Sequence, residues 1–225
     1  MEGMRQYKIK LTGTSPLIMH YDNIEWADKM AEWLLDPVNK KKSKAGDDRT
    51  PAWTWLGSLY HDNEHIALPG DNLQRCMMEA GAMVPVPNGK HGKTFKSQTQ
   101  SGCSIPDFYW PLLVNGKPIE TAKLAALEGD ASVPFSEHKS VALEHGFSLF
   151  MKRARIQNSK HVRVRPRFDQ WSVEGVQIVL DEQLTTDIMR QIWTFAGKYK
   201  GLCDWRPGGR TPGPFGMFEA EVAEL

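Results

Sequence analysis

The sequence has no apolar stretch approaching the roughly 18 residues that a membrane-crossing helix needs, and no apolar run like a signal peptide at its start. These absences point to an intracellular chain with no membrane partner. Cysteine is scarce. Cys76, Cys103 and Cys203 lie far apart and form no C-x-x-C pair, so neither a disulfide framework nor a zinc site is supported and reduced thiols are expected. A surplus of one charge is missing too, since 28 Lys and Arg face 27 Asp and Glu for a net charge of +1. Such a chain does not coat nucleic acid by bulk charge, and any basic patch must be local and balanced elsewhere. The G-x-x-x-x-G-K-[ST], G-x-S-x-G and H-E-x-x-H patterns are absent and the carboxylates form no evident cluster. No cofactor and no metal centre is therefore expected.

What is present suffices for a core. The 225 residues, 40% hydrophobic and without repeat, low-complexity tract or clear linker, read as one α+β domain over 1–225 with a loop-rich insertion around 85–150. Tyr7 to Thr12 alternates apolar and polar residues, the period of a half-buried strand. Asn23 to Leu35 reads as a helix, with Asp22 or Asn23 as N-cap and Ala27, Met30, Ala31 and Leu34 on one face, ended by Asp36-Pro37. Val38 to Thr50, Lys-rich and then Asp-rich, reads as an exposed, mobile loop outside the core. Pro69-Gly70-Asp71 opens a second helix through Leu73, Cys76, Met77, Ala80 and Val84. Pro85 to Gly102 is too polar to bury and reads as a second mobile loop, and Asn115-Gly116 after the apolar Ile105 to Val114 is a hairpin signal.

The C-terminal quarter has sharper patterns. Trp171 to Leu180 is strand-like, with Trp171 and Val173 in one phase and Val176, Ile178 and Leu180 in the other, a switch at Glu174-Gly175 that suggests a β-bulge. Thr185 to Tyr199 reads as a helix with Ile188, Ile192, Phe195, Ala196 and Tyr199 as its apolar stripe. A Gly- and Pro-rich loop, Gly201 to Gly216, leads into a last strand, Phe215 to Val222. Two βαβ halves are expected, forming an antiparallel sheet with the helices Asn23 to Leu35 and Thr186 to Tyr199 on one face.

Just upstream, Met151 to Phe168 carries Lys152, Arg153, Arg155, Lys160, Arg163, Arg165 and Arg167 and no acidic residue. On a strand, Arg163, Arg165 and Arg167 share one face about 7 Å apart, close to the spacing of phosphates in an extended single strand. The competing reading is a solvated face whose arginines pair with carboxylates from elsewhere. Lys152, Arg153 and Arg155 either extend the track or protect a hairpin edge. Trp205, Phe215, Phe168 and Trp171 are candidate stacking platforms, although Phe168 and Trp171 read more simply as core. In the loop, Arg206 and Arg210 are placed to clamp a strand, and Gly208, Gly209 and Gly213 either let backbone approach a phosphate or only make turns.

A strand, a helix, a Gly-rich loop (Gly201-Leu-Cys-Asp-Trp205-Arg206-Pro-Gly208-Gly209-Arg210-Thr-Pro-Gly213-Pro-Phe215-Gly216) and a closing strand resemble the second ferredoxin-like half of the repeat-associated mysterious protein (RAMP) superfamily. The first strand ending in Gly13-Thr-Ser-Pro-Leu-Ile, and the Trp55 to Asn72 segment with Leu59-Tyr60 and Leu68-Pro69, are similar to the opening of that superfamily's CRISPR effector backbone subunits. The ends also resemble uncharacterised phage and prophage proteins. The resemblance implies a modified RNA-recognition fold that grips single-stranded DNA or RNA, assembles side by side along the strand, and works in the cytoplasm of a bacterial host.

Related ferredoxin-like proteins include metal-independent RNA endonucleases with a His near the first strand, which makes His20 a weak catalytic candidate. His61 and His65 have the spacing of a helical metal pair, but Asn63 and the following Ile66-Ala-Leu-Pro argue for a turn into a strand. Three readings stay open: a non-catalytic single-strand binder, an endoribonuclease, and a protein-interaction module that has lost the ligand.

Overall fold

The computed structural model describes residues 3–43, 46–89, 92–156 and 159–225, with backbone alone at 155, 156 and 159. The strands are β1 (Arg5–Gly13), β2 (Leu17–Ile18), β3 (Ala67–Pro69), β4 (Cys103–Ser104), β5 (Tyr109–Pro111), β6 (Leu113–Val114), β7 (Lys117–Pro118), β8 (Ser148–Ile156), β9 (Ser159–Phe168), β10 (Ser172–Val179) and β11 (Phe218–Glu224). The helices are α1 (Ile24–Trp33), α2 (Pro37–Lys42), α3 (Gly70–Gly81), α4 (Lys96–Ser101), α5 (Phe135–Glu144) and α6 (Thr186–Phe195). The fold is α+β with antiparallel sheets.

β1 is the axis of the larger sheet. Its alternation is realised, with Tyr7, Ile9 and Leu11 fully buried. It pairs antiparallel with β10 on one side and β11 on the other, and β4 and β6 continue the sheet beyond β10. β10 and β11 therefore run parallel to each other with β1 between them, and α6 makes the crossover. Thr185 caps α6 by accepting from the Ile188 backbone N–H, satisfying one of the first turn's free donors. Gln177 of β10 accepts from Trp193 Nε1 at 2.9 Å and faces Met77 Sδ at 3.6 Å, so α6 and α3 cover the same face of the sheet.

Four expectations change here. The helix beside α6 is α3, not the segment from Asn23 to Leu35. α1 is capped by Asn23 as expected, but none of its residues is buried, and it meets the core only through the partly buried Trp26 and Trp33. Leu73, Cys76, Met77 and Ala80 of α3 bury instead. There is no bulge at Glu174-Gly175, since the pairing of β1 with β10 keeps one register from Arg5↔Val179 to Thr12↔Ser172. The break in the apolar phase is Gln177, a buried polar residue on the core face whose amide is satisfied by the helices. Of the expected α6 stripe Ile192 and Ala196 are fully buried, Met189 and Trp193 join them, Ile188 and Phe195 are partly buried, and Tyr199 is exposed, so the buried face is turned toward Met189 and Trp193. The closing strand runs over Phe218–Glu224, a few residues later than read.

The two expected loops are partly ordered. Pro37–Lys42 is a short helix capped by Asp36, and Asp48 beyond it is buried; residues 44 and 45 lie outside the described residues. In 85–102, Phe95, Gln98 and Thr99 are buried around α4, and residues 90 and 91 lie outside the described residues. The insertion around 85–150 likewise holds α4, α5 and a 3-10 stretch, Thr121–Leu127, with Leu124 and Leu127 buried.

The basic run is a hairpin. β8 and β9 pair from Ser148↔Arg167 to Ile156↔Ser159, and β2 adds on through Leu17↔Phe168 and Ile18↔Arg167. The residues between β1 and β2 thus carry the chain from one sheet to the other. Gly13 permits this passage, because a Cβ there would lie 2.2 Å from the ring of Trp171, which donates to the Ser15 carbonyl at 2.9 Å. Phe168 stacks on Phe147 at 5.1 Å, and both it and Trp171 are core, as their simpler reading holds.

Candidate nucleic-acid interface

The hairpin and the Gly-rich loop face each other across a cleft of about 480 Å³. Register fixes what the hairpin contributes. Lys152 pairs with Arg163 and Phe150 with Arg165, so these four side chains share one face, and all four line the cleft. Ile18 and His20, at and just after β2, form the floor, and Trp205, Arg206, Gly209 and Arg210 form the opposite wall. Two segments some forty residues apart in sequence, each singled out by its composition, therefore meet at one site.

The rest of the basic run divides. Arg153 pairs in register with Val162, belongs to the other face, and is exposed, as is Lys160. Arg155 is opposite Lys160 in register, and its side chain lies outside the described residues. Arg167 does not reach the cleft and pairs with Asp169 at 2.7 Å. The track of three free guanidinium groups is therefore corrected. Arg163 and Arg165 both bind the buried Asp48, at 2.8 and 3.1 Å, and the Val164 backbone N–H donates to the same carboxylate at 3.1 Å. The segment read as a loose loop supplies the anchor that fixes both arginines at the cleft wall.

Arg165 is the hub. It donates to the Val164 carbonyl, contacts His20 Nε2 at 3.0 Å, and has Asp204 3.9 Å from its Nε. Burial, then the charge of Arg165, lowers the His20 pKa below the ordinary imidazole range, while Asp204, 3.8 Å from Nδ1, pulls it the other way. His20 is thus neutral near pH 7. Burial raises the Cys203 thiol well above its usual range and pushes Cys76 up to about 12, so neither offers a thiolate nucleophile.

Trp205 has an apolar neighbour: it lies tilted on Phe215 at 5.3 Å. Its indole N–H donates to the Pro212 carbonyl at 3.2 Å, and Gly213 makes room for the ring, since a Cβ there would lie 2.2 Å from it. Lys152 Nζ sits over the ring, a cation–π contact that ties the loop to the hairpin. Arg206 is engaged inward, with its guanidinium on Glu79 of α3 at 3.0 Å and on the Lys200 carbonyl at 3.2 Å, so it braces the loop instead of clamping a ligand. Gly208 is structural for the same reason, because its N–H donates to Lys200 O and a Cβ would press on Lys200. Gly209 lines the cleft, and Arg210 is exposed with no ion pair among the described residues.

Against five cations on the cleft wall stand three carboxylates, Asp48, Asp204 and Glu79, which leaves a local positive surplus. The chain matches no protein-family model and no curated protein. Asp48 and Glu79, which hold the cleft's arginines, escaped the sequence reading, because each meets its arginine across more than a hundred residues and no local pattern marks it. Among the described residues no three His, Cys, Asp or Glu side chains are grouped to hold a metal, and no helix is long and apolar enough to cross a membrane. His61 and His65 flank a tight turn with Asn63 at a φ of 80°, not one face of a helix.

Proposed function

We propose that this chain is a non-catalytic protein that binds single-stranded nucleic acid, DNA or RNA, in the cleft between hairpin and loop. The observation that carries the reading is the convergence of Lys152, Arg163, Arg165 and Arg210 with Trp205 around one open cavity. Fixed cations draw in phosphates, and the Trp205 ring, backed by Phe215, offers a base a stacking face when Lys152 turns from it to a phosphate. The strand order β11-β1-β10 with α3 and α6 over one face supports a ferredoxin-like reading in which short pieces replace the second edge strand, and with it the RAMP-like resemblance. On that reading the protein acts in the bacterial cytoplasm, with copies side by side along one strand.

The test is fluorescence anisotropy with labelled single-stranded DNA and RNA over a salt series. Lys152→Ala and Arg210→Ala should each lower the slope of log affinity against log salt by about 0.7, the value per neutralised phosphate of a single strand. Wild-type affinity and slope in a folded Lys152→Glu/Arg210→Glu double variant would sink the proposal. A second reading, RNA cleavage without metal, is favoured by one observation, the neutral His20 beside Arg165 in the cleft. Incubating RNA with the protein in EDTA decides it, with cleavage that His20→Ala abolishes as the supporting result.

A further inference from the structure

The basic cleft does not end at the Gly-rich loop. A second hollow of about 230 Å³ shares His20, Cys203, Asp204 and Arg206 with it and reaches Tyr60 and Asn72. Tyr60 then forms a wall of a third hollow, of about 550 Å³, lined by Tyr21, Tyr109, Asp22, Asn23 and Asn63 among others. Each hollow thus shares lining residues with the next.

Their chemistry changes from one to the next. The first is walled by cations, whereas the third has no Lys or Arg among its lining residues and carries Asp22 and Glu25. Tyr21 and Tyr60 lie ring to ring at 5.1 Å and 34°, and the Tyr60 hydroxyl donates to the His20 carbonyl at 3.1 Å, which fixes that pair to the cleft floor. Tyr21 and Tyr109 remain 40% and 41% exposed, so part of each side chain is open to a ligand. A wall with carboxylates and no cation repels phosphate. It accepts hydrogen bonds, and with amide side chains and ring faces beside it, it suits the edge and face of a base.

We infer that the hollow at Tyr21, Tyr60 and Tyr109 is a nucleobase pocket, which takes a base splayed from the strand whose phosphates occupy the basic cleft and favours bases with an exocyclic amino group. The inference rests on the proposed single-strand binding. Stacking supplies affinity there, and the Asp22 carboxylate, which only accepts, supplies a partner for the amino group that thymine and uracil lack. None of these residues stands in a basic run, so composition could not have singled them out.

The experiment measures anisotropy with oligo(dC), oligo(dA) and oligo(dT) of equal length, and the RNA counterparts, for wild type, Tyr21→Ala, Tyr109→Ala, Asp22→Ala and Arg210→Ala. Wild type should prefer cytosine and adenine over thymine and uracil. Each tyrosine variant should lose on the order of tenfold in affinity for the amino-bearing oligomers with its salt slope unchanged, because stacking releases few counterions. Asp22→Ala should narrow the preference while keeping affinity for oligo(dT). If wild type binds, Arg210→Ala loses salt slope, and the folded tyrosine variants bind every oligomer as wild type does, the pocket is refuted and the cleft survives. If wild type binds no oligomer at any salt, both readings fall.

Discussion

The exposed face of the central sheet and the cleft both carry lysines and arginines, and they treat them differently. On β1, Lys8 and Lys10 each reach a carboxylate of a neighbouring strand, Glu174 and Glu221, at 3.3 Å. In the cleft, Lys152 rests on an aromatic ring, Arg210 meets no carboxylate among the described residues, and two arginines divide a single aspartate. The sheet's charges are neutralised where they stand, so they serve solubility and register and ask for no partner. The cleft's charges are held close together at the cost of mutual repulsion, a cost that folding alone does not reward. A repulsive cluster on a rigid scaffold marks a place where an anion is expected to do the neutralising.

The sharpest way to break that contrast is to remove the buried anchor. Asp48→Ala would leave Arg163, Arg165 and the Val164 N–H without their shared acceptor in a half-buried site, and should destabilise the fold by about 3 kcal/mol. Urea unfolding followed by circular dichroism measures it. A loss under about 1 kcal/mol would show that water replaces the carboxylate easily, as it does at exposed pairs.

A smaller effect follows from His20. In the free protein its pKa is lowered, by burial first and Arg165 next, with Arg163 adding to the lowering and Asp204 and Asp22 opposing it. A phosphate in the cleft favours the charged imidazole, so the complex binds more protons than the free protein does. Affinity should therefore be flat above about pH 8 and rise as the pH falls through the usual imidazole range near 6.5. The gain should be a few-fold between pH 7.5 and 5.5 and should vanish in His20→Gln. An affinity for the strand that falls with acid in wild type but not in that variant would reverse the sign and place His20 away from the phosphates.

How much of this was legible from the sequence depends on which interactions are local. β1, α6, their caps and the Gly-rich loop follow from spacing, because alternation, an N-cap Thr and a Gly/Pro cluster act within a few residues. The meeting of Lys152 with Trp205 was half legible. Composition marked both ends, but only the pairing of β8 with β9 and of β2 with β9 turns them toward each other. Gln177 misled the reading of β10, because a buried amide satisfied by Trp193 looks in sequence like a break in phase. Asp48 was invisible, since its role depends on a contact 115 residues away. The swap of α3 for α1 has the same origin: both segments show helical spacing, and which one reaches the sheet is decided by tertiary packing.

The smallest effect tests the other side of the comparison. Lys10 and Glu221 are direct register partners on adjacent strands, yet their side chains are 46% and 74% exposed. Water screens such a pair, and fixing two long side chains costs entropy that offsets most of the attraction. A double-mutant cycle with Lys10→Ala and Glu221→Ala, read by urea unfolding, should therefore give a coupling of about 0.2–1 kcal/mol that shrinks as salt is raised. Nucleic-acid affinity should be the same in all four proteins. A loss of affinity in Lys10→Ala with stability unchanged would mean that the strand crosses the sheet face, and the distinction between neutralised and waiting charge would then have to be redrawn around β1.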